Sequence, residues 1–316
     1  MRTSRRWDEA RQDMKRALAP NDLLLTLATV ALWGFSFVPI KFGLRELPPF
    51  ALAALRFLFA AVPLVCVIKP PRMPWRIVAG YGLAIGFFQF GLLFLGMQLG
   101  MPAGLSSLVI QVQVFFTIGL AIAFLGDRLQ RHNLVGAAIA TAGIAVLAVQ
   151  KLIDGAHATL AGFALVLVAA FAWAVGNTLS KRAAAAHGAD MFSLVVWSSL
   201  VPPLPLALLS YLFEGGSSVL DAVKSAGMLT WASVLFLAWG ATLFGFASWA
   251  RLLGRYPTGL IAPFALLVPV SGIASGAIFL GESLAPLQAV GAALVFAGLA
   301  ENVYGPRIRA WMSRAR

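Results

Sequence analysis

Long apolar stretches, separated by short polar or glycine- and proline-containing segments, run through almost the whole chain. A helix needs about 20 mostly apolar residues to cross the hydrocarbon core of a bilayer. The pattern therefore predicts an all-α polytopic membrane protein with ten spans, the fifth of them short and the seventh kinked by its prolines. The predicted spans are Leu23–Phe42, Phe50–Ile68, Ile77–Met97, Ala103–Leu125, Leu134–Val149, Leu160–Leu179, Met191–Phe213, Trp231–Leu252, Gly259–Leu280 and Leu284–Val303.

Composition supports lipid as the main solvent. Apolar residues make up 60% of the 316 residues and charged residues only 11%, whereas soluble domains carry about 25% charged residues. The net charge of +12 comes from basic residues between and beyond the apolar stretches, so it reports topology rather than nucleic-acid binding. The single cysteine, Cys66, excludes a disulfide within the chain, and the three histidines have no ligand-like neighbours. We expect no metal and no cofactor.

Lysine and arginine positions predict the orientation, because they concentrate in cytoplasmic loops. With the N-terminus inside, 19 of the 24 basic residues fall in inside segments, and only Lys41, Arg45, Lys151 and Lys224 fall outside. The remaining one, Arg56, lies within the second span. Both termini are therefore predicted to be cytoplasmic.

An internal repeat follows from two similar pentapeptides, LGDRL at residues 125–129 and LGESL at 280–284. The surrounding sequences align without a gap, for example Gly104 with Gly259 and Gly143 with Gly298; further upstream, Lys41 aligns with Lys181. Spans one to five thus resemble spans six to ten. Because five is odd, the second copy is expected to be inverted in the membrane, as in many transporters. The predicted organisation is a cytoplasmic segment 1–22, a first repeat 23–149, a linker 150–159, a second repeat 160–304 and a basic tail 305–316.

The pentapeptides themselves predict tight helical hairpins. Glycine permits the turn that ends one helix, and the acid after it can accept hydrogen bonds from the start of the following helix. This assigns a structural role to Gly126, Asp127, Gly281 and Glu282. Small residues at four-residue spacing in the fifth and tenth spans predict close helix packing, within a protomer rather than between protomers. A monomer or a weak homodimer is expected.

The order of these motifs resembles the drug/metabolite transporter superfamily, in its EamA-like branch. The resemblance rests on the segments ALWGFSFVPIK and AFAWAVGNTLSK in the first span of each half, ALRFLFAA in the second span, and FLGD/ELxxxxxxG joining the last two spans of each half. Within the superfamily the chain is most similar to the YddG-type exporters of amino acids and related metabolites. The resemblance implies a bacterial inner-membrane exporter, and a central cavity built mainly from spans one, three, four, six, eight and nine.

Candidate substrate-binding residues are aromatic and neutral-polar, since the span centres carry no Asp or Glu and Arg56 is predicted near the outer side. A buried amide in lipid needs a hydrogen-bond partner, so each candidate glutamine or asparagine either bonds to a neighbouring helix or lines a water-filled cavity. The tryptophans either form cavity walls or pack in the core. The candidates are Trp33, Ser36, Phe37, Tyr81, Phe88, Gln89, Gln111, Trp173, Asn177, Trp239, Phe244 and Pro263.

Several functions remain open at this point. A lining of aromatic rings and amides suits neutral and aromatic amino acids, moved by alternating access. Aromatic faces also hold cations, so the small-molecule substrate could instead be an organic cation or drug. A membrane-embedded enzyme would need acidic pairs or a nucleophile–base pair, which the spans lack, and a non-transporting receptor or scaffold is the third alternative. Coupling to protons, as against facilitated diffusion or exchange, is also open.

Overall fold

The computed structural model of the chain describes residues 18–101, 103–127, 130–153, 159–187, 190–281 and 285–314. Every regular element in these ranges is a helix, and they contain no strand. Nine helices in the described ranges are long and apolar enough to cross a membrane, and one apolar helix is shorter. We number the ten in chain order: α1 Pro20–Gly43, α2 Pro49–Val65 (the shorter one), α3 Trp75–Gln98, α4 Ser106–Leu125, α5 Arg131–Gln150, α6 Leu160–His187, α7 Met191–Phe213, α8 Met228–Arg255, α9 Thr258–Phe279 and α10 Pro286–Gly305.

The ten apolar segments predicted from hydropathy all become helices, with bounds close to the predicted ones. The fifth is longer than predicted, because the helix begins at polar Arg131 and continues to Ile153, beyond the apolar stretch that hydropathy detects. The predicted break in α7 is confirmed: one helix covers Met191–Ser198 and another begins at Pro203 and ends at Phe213. A short helix, Ser217–Ser225, connects α7 to α8.

Four of the helices are irregular in the middle, and they form two similar pairs. In α3 a π-helical stretch, Gly82–Gln89, lies between Trp75–Tyr81 and Phe90–Gln98, and in α8 a π-helical stretch, Phe236–Phe246, lies between Met228–Leu235 and Ala247–Arg255. In α4 and α9 a short 3₁₀ stretch interrupts the helix instead, at Ile110–Val112 and at Ala262–Leu266. Mid-helix π and 3₁₀ segments often mark functional positions. The positions they flank are therefore the first place to look for a site.

Helix α1 has a break of its own. It consists of Pro20–Phe35 and Phe37–Gly43, with Ser36 between them. The Ser36 hydroxyl donates to the carbonyl of Leu32, one turn back, at 2.8 Å. Such back-bonding often accompanies a bend in a helix, and here it coincides with the interruption of the regular helix at Ser36.

Helices α5 and α10 pack backbone to backbone along glycines. A Cβ atom on Gly136 would lie 2.5 Å from the carbonyl oxygen of Gly298, and one on Gly143 would lie 2.6 Å from that of Gly291. The Asn133 side chain donates to Asn302 Oδ1 at 2.7 Å at one end of this contact. The helix that begins at Pro286 continues to Arg314. The close packing expected of these two helices is thus found within the protomer.

Gly126 and Gly281 end α4 and α9 in the same unusual conformation. Their φ angles are +68° and +67°, in the left-handed region that only glycine adopts at low cost. The N–H of Asp127 returns to the carbonyl of Ala121 at 3.2 Å, which closes the end of α4. Glu282, the acid of the second pentapeptide, lies outside the described residues.

Candidate functional site

A cavity of about 790 Å³ lies among the helices, within the size range of small-molecule sites. Residues of α1, α2, α3, α4 and α9 provide most of its wall, whereas α6 and α8 contribute one side chain each, Trp173 and Phe246. The lining extends from those two buried rings to the exposed side chains of Lys41, Arg45 and Gln98. The cavity therefore opens at the end of the bundle where Lys41 lies, which we call the open end.

Four aromatic rings close the other end of the cavity. The Trp33 ring lies 5.7 Å from that of Trp173, 5.1 Å from Phe246 and 5.3 Å from Trp249, measured between centroids. The indole N–H of Trp33 donates to the carbonyl of Ala241 at 2.9 Å. Gly245 makes this approach possible, since a Cβ there would lie 2.4 Å from Trp33 Nε1. We call these four rings the aromatic floor.

One buried cation, Arg56 of α2, faces the cavity. Its side chain is only 6% exposed, and Nε donates to the hydroxyl of Thr242 at 2.6 Å. The guanidinium carbon lies 4.5 Å from the centre of the Phe90 ring, within cation–π range. The sequence-based expectation placed Arg56 near the outer side, where it could reach water by extending. The structure buries the side chain between α3 and α8, so it does not extend to the surface of the bundle; its depth in the membrane stays a prediction.

Several residues that line the cavity also carry a neutral polar atom that is buried and has no protein partner. Among the described lining residues, Gln89 Oε1, Ser106 Oγ, Gln111 Oε1 and Trp173 Nε1 are buried and have no hydrogen bond. Buried polar atoms in proteins almost always have a partner. These two amide oxygens, the hydroxyl and the indole N–H lie behind the cavity surface on residues that line it, so a side-chain rotation would bring them to a solute.

Six of the twelve sequence-predicted site residues line this cavity. They are Trp33, Ser36, Phe37, Gln89, Gln111 and Trp173. They come from α1, α3, α4 and α6 and lie at different depths, with the two tryptophans at the floor. The structure therefore brings together polar and aromatic residues that are up to 140 positions apart in the chain.

The other six lie away from the lining. Phe88, Trp239 and Phe244 are 45%, 49% and 42% exposed on the outside of the bundle. Consecutive residues of a helix point in different directions, and Gln89, next to Phe88, takes the inward one. Asn177 is buried and donates to Gln113 Oε1 at 3.2 Å and to Thr117 Oγ1 at 3.1 Å. Tyr81 lines a separate small void, and Pro263 is buried in the 3₁₀ stretch of α9.

Beyond the floor, an ionic cluster fastens the opposite end of the bundle, which we call the closed end. The Lys181 ammonium donates to Asp127 Oδ2 at 2.5 Å and to the hydroxyl of Thr258 at 2.8 Å. The same carboxylate oxygen accepts from the backbone N–H of Thr258 at 2.9 Å. The acid of the first pentapeptide thus binds the start of α9, rather than the start of the helix that follows it in sequence. Asp127 ties α4 to α6 and α9.

A second cluster at the closed end joins α1 to the end of α8. Buried Asp22 accepts from the Tyr256 hydroxyl at 2.6 Å and pairs with Arg255 at 3.0 Å. The Tyr256 hydroxyl in turn accepts from the backbone N–H of Ala19 at 3.3 Å. Lys181 lies eight residues beyond Trp173 in an uninterrupted helix, about 12 Å along its axis. The floor and the two clusters therefore form successive layers of the closure.

The two clusters perturb the acid–base behaviour of their members in opposite directions. Partial burial disfavours the Asp127 carboxylate, but hydrogen bonds from Lys181 and Thr258 outweigh it, so the pKa of Asp127 lies below its ordinary value. Burial and the hydrogen bond to Asp22 raise the pKa of Tyr256. Both shifts favour the protonation states that hold the closed end together at neutral pH.

Comparison with known proteins shows which family this helical architecture belongs to. The sequence profile of the EamA-like transporter family matches residues 22–149 and residues 160–303. The chain belongs to the EamA-like transporter family. It is accordingly a multi-pass membrane transporter and not an enzyme, and the family match falls on the same two halves that the internal repeat delimits.

Individual relatives of this transporter share most of its length. It is 45% identical over 293 residues to a "Probable amino-acid metabolite efflux pump" of Salmonella typhimurium, with 92% of this chain and 98% of that protein covered. A protein of the same name from Escherichia coli K12 is 42% identical over 294 residues, with 92% and 98% covered. A solved crystal structure is similar with a TM-score of 0.75 at 21% identity, covering 91% of this chain and 98% of that one. That likeness concerns the fold alone.

Several lining residues were missed from the sequence. Phe90, Phe94 and Ser106 line the cavity in addition to Arg56 and Phe246. The rings carry no signal that separates a cavity wall from a packed core. Arg56 did carry one, because an ionisable residue inside a span is a functional hypothesis by default.

Proposed function

We propose that this transporter exports amino acids and related small metabolites across the bacterial inner membrane by alternating access. The observation that carries the proposal is the one-sided cavity of about 790 Å³, in which aromatic rings surround a guanidinium and unpartnered amide oxygens. Such a lining offers apolar contact to a side chain and hydrogen bonds to charged ends. The names of the two relatives above 40% identity agree with this substrate class.

The transport cycle we propose relies on two inverted five-helix repeats, 23–149 and 160–304, with both termini in the cytoplasm. Three observations support the inversion: the two family matches, the like irregularities in α3 and α8 and in α4 and α9, and the distribution of basic residues. In this orientation the open end faces outward and the closed end faces the cytoplasm. The repeats would exchange these roles when the cavity opens inward.

Export of organic cations fits the lining less well. Arg56, Lys41 and Arg45 contribute to the wall, and the described lining includes no Asp or Glu. A positive potential in a low-dielectric cavity repels a cation. The aromatic rings alone would not offset that repulsion.

Uptake into proteoliposomes containing only this protein tests the proposal. Labelled phenylalanine, tryptophan and leucine are supplied with and without a pH gradient, and we expect saturable flux that empty liposomes lack. Flux that proceeds without a gradient would indicate facilitated diffusion or exchange. Absence of flux for every amino acid, from protein that is folded and inserted, would contradict the amino-acid assignment.

A matched pair of variants links flux to the cavity. Phe246→Leu removes a ring from the floor, whereas Phe124→Leu makes the same change at a side chain that is 71% exposed on the outside of the bundle. We expect the first to lower the apparent affinity for aromatic amino acids by about threefold to tenfold, since aromatic contacts contribute about 0.5–1.5 kcal/mol. The second should behave as the wild type. Equal effects would argue that the flux does not use this cavity.

A further inference from the structure

Arg56 holds an unusual position for a charged residue in a membrane helix. It is buried, it lies beside the cavity, and its single described hydrogen bond uses Nε, toward Thr242. The two terminal nitrogens of the guanidinium make no hydrogen bond to the described part of the chain. Neither described ion pair includes Arg56. The fork of donors that best matches a carboxylate is therefore available to a solute in the cavity.

The surroundings fix the guanidinium rather than neutralise it. Thr242 holds Nε from α8, and the Phe90 ring lies against the guanidinium plane from α3. Both contacts orient an arginine without supplying negative charge. Burying an ionised group without a counter-charge is costly, and an anionic group of the substrate would remove most of that cost.

Acceptors for a positive group lie on neighbouring helices. Gln89 Oε1 is on α3, one position before the ring that contacts Arg56, and Gln111 Oε1 is on α4; both are buried without a partner and line the cavity. An ammonium has three donors and no acceptor, so carbonyl oxygens of amides suit it. An arginine with free donors for a carboxylate and two glutamines with unpartnered acceptors for an ammonium thus line one cavity from three helices, and a side-chain rotation would bring the glutamine oxygens to the ammonium.

We propose that Arg56 binds the carboxylate of the substrate, and that this contact makes a free carboxylate the feature by which the transporter selects its substrates. The inference rests on the proposed export function and narrows its substrate class. Zwitterionic amino acids bind with the carboxylate at Arg56 and the side chain among the aromatic rings. Amines, amides and esters that share the same side chain lack the anionic partner and are poor substrates.

Competition in proteoliposomes tests the selectivity. Uptake of labelled phenylalanine by the wild type is challenged with unlabelled phenylalanine, phenylalaninamide or phenethylamine. We expect phenylalanine to compete at least about tenfold better than the other two, since hydrogen bonds to charged groups are worth roughly that factor or more. Equal competition by the amide in the wild type would overturn the proposal.

Variants connect the selectivity to Arg56. Arg56→Gln should raise the apparent KM for phenylalanine about tenfold or more and bring the three competitors to within about twofold of one another. Arg56→Lys, which keeps the charge but loses the planar fork, should retain part of the discrimination. Arg251→Gln removes a positive charge from an exposed position on α8 and should leave both the KM and the discrimination unchanged. Wild-type discrimination in Arg56→Gln would overturn the role of Arg56.

A binding measurement separates this proposal from the transport proposal. Phenylalanine should raise the unfolding temperature of the detergent-purified wild type, and phenylalaninamide at the same concentration should not. If no amino acid is transported but this difference in stabilisation is present, the export function fails while the carboxylate site stands. If flux is present but the two ligands stabilise equally, the carboxylate site fails while the export function stands. Should Arg56→Gln not fold, Arg56→Lys and this wild-type measurement decide the matter.

Discussion

The two ends of the helix bundle use matching lysines in different ways. Lys181, on α6, is half-buried and bound to Asp127 and Thr258 at the closed end. Lys41, its counterpart in the sequence repeat, is exposed at the mouth of the cavity. The glycine turns, in contrast, have nearly identical backbone conformations at Gly126 and Gly281. Local sequence and the backbone of the glycine turns are thus repeated, whereas the burial of the two lysines differs.

The difference in burial teaches that, in this state of the protein, closure goes together with the meeting of three helices, α4, α6 and α9, around one lysine. At the closed end Asp127 brings the start of α9 against α6. At the open end the carboxylate of Glu46 accepts from the backbone N–H of Gly227 at 2.7 Å, which caps the start of α8 outside the cavity mouth. Both ends therefore use an acid to hold the start of a helix, and at the closed end that acid is also bound to the half-buried Lys181.

The largest effect is expected from breaking the floor that separates the two ends. Gly245→Ala would place a Cβ 2.4 Å from Trp33 Nε1 and push the indole off its bond to Ala241. Overpacking of this kind costs about 1–3 kcal/mol, so the unfolding temperature in detergent should fall. Gly240→Ala is the matched control in the same π-helical stretch, since its Cβ would meet nothing closer than 3.4 Å. Equal unfolding temperatures of the two variants would show that the aromatic floor accommodates the added methyl group without loss of stability.

The next effect comes from removing the lysine at the closed end. Lys181→Met leaves Asp127 without its cation, which we expect to favour opening of this end by about 1–2 kcal/mol, or roughly fivefold to thirtyfold in the equilibrium. The reporter is Ser180→Cys in a Cys66→Ser background, because residue 180 is buried and lies outside the cavity lining. Its labelling rate with a water-soluble thiol reagent should rise by that factor. An unchanged rate would mean that the floor alone keeps this end closed.

Lys41→Met is expected to change the labelling rate of the cysteine at residue 180 by a smaller factor and in the opposite direction. If the repeats exchange roles, Lys41 helps to close the other end when the cavity opens inward, so its loss disfavours the inward-open state. Labelling of the same cysteine at residue 180 should therefore fall, by about twofold to threefold, since an exposed ion pair is worth up to about 1 kcal/mol. A rise in labelling would contradict the exchange of roles and the inverted repeat on which it depends.

The smallest effect concerns pH. Because the pKa of Asp127 is lowered, its contribution to closure is present above the ordinary carboxylate pKa of about 4 and is lost only as the pH falls through the lower folded value. Because the pKa of Tyr256 is raised, its contribution is present below about pH 10 and is lost as the pH rises further. Labelling of the cysteine at residue 180 should therefore be flat between about pH 5 and 9, once corrected for thiol ionisation with a fully exposed cysteine peptide. A step in that window would reveal another titrating group.

Much of the fold could be predicted because hydropathy acts over a whole span. In the described ranges, nine of the predicted spans are helices long and apolar enough to cross a membrane, the second is a shorter apolar helix, and α7 is interrupted between Ser198 and Pro203, near its prolines. The spacing of small residues predicted close packing of α5 and of α10 without saying which helix each would meet. The structure packs them on each other through Gly291 and Gly298, whereas Ala289 and Ala293, the small residues of the tenth span on which the prediction relied, are exposed. The spacing of small residues therefore indicates that a helix packs closely more reliably than it indicates which of its faces makes the contact.

The cavity was harder to predict, because its lining depends on the direction in which each side chain points. Gln89 and Phe88 are neighbours in a π-helical stretch, and a sequence with no alignment does not tell which of them faces inward. Asn177 is on the predicted face of α6, one turn from Trp173, yet Gln113 and Thr117 occupy its side chain. Such pairings arise from the packing of α4 on α6, which no local pattern encodes.

The contacts that hold the floor and the closed end also set an order of events during synthesis. Trp33 bonds to Ala241, 208 residues later, and Asp22 bonds to Tyr256, 234 residues later. At about 5–20 residues per second, a ribosome needs on the order of 10–50 s to produce the second partner of each bond. During that interval the first helix is already made while its indole and carboxylate still lack these partners. The barrier across the transporter is therefore among the last parts of the molecule to be completed, after most of the cavity wall is in place.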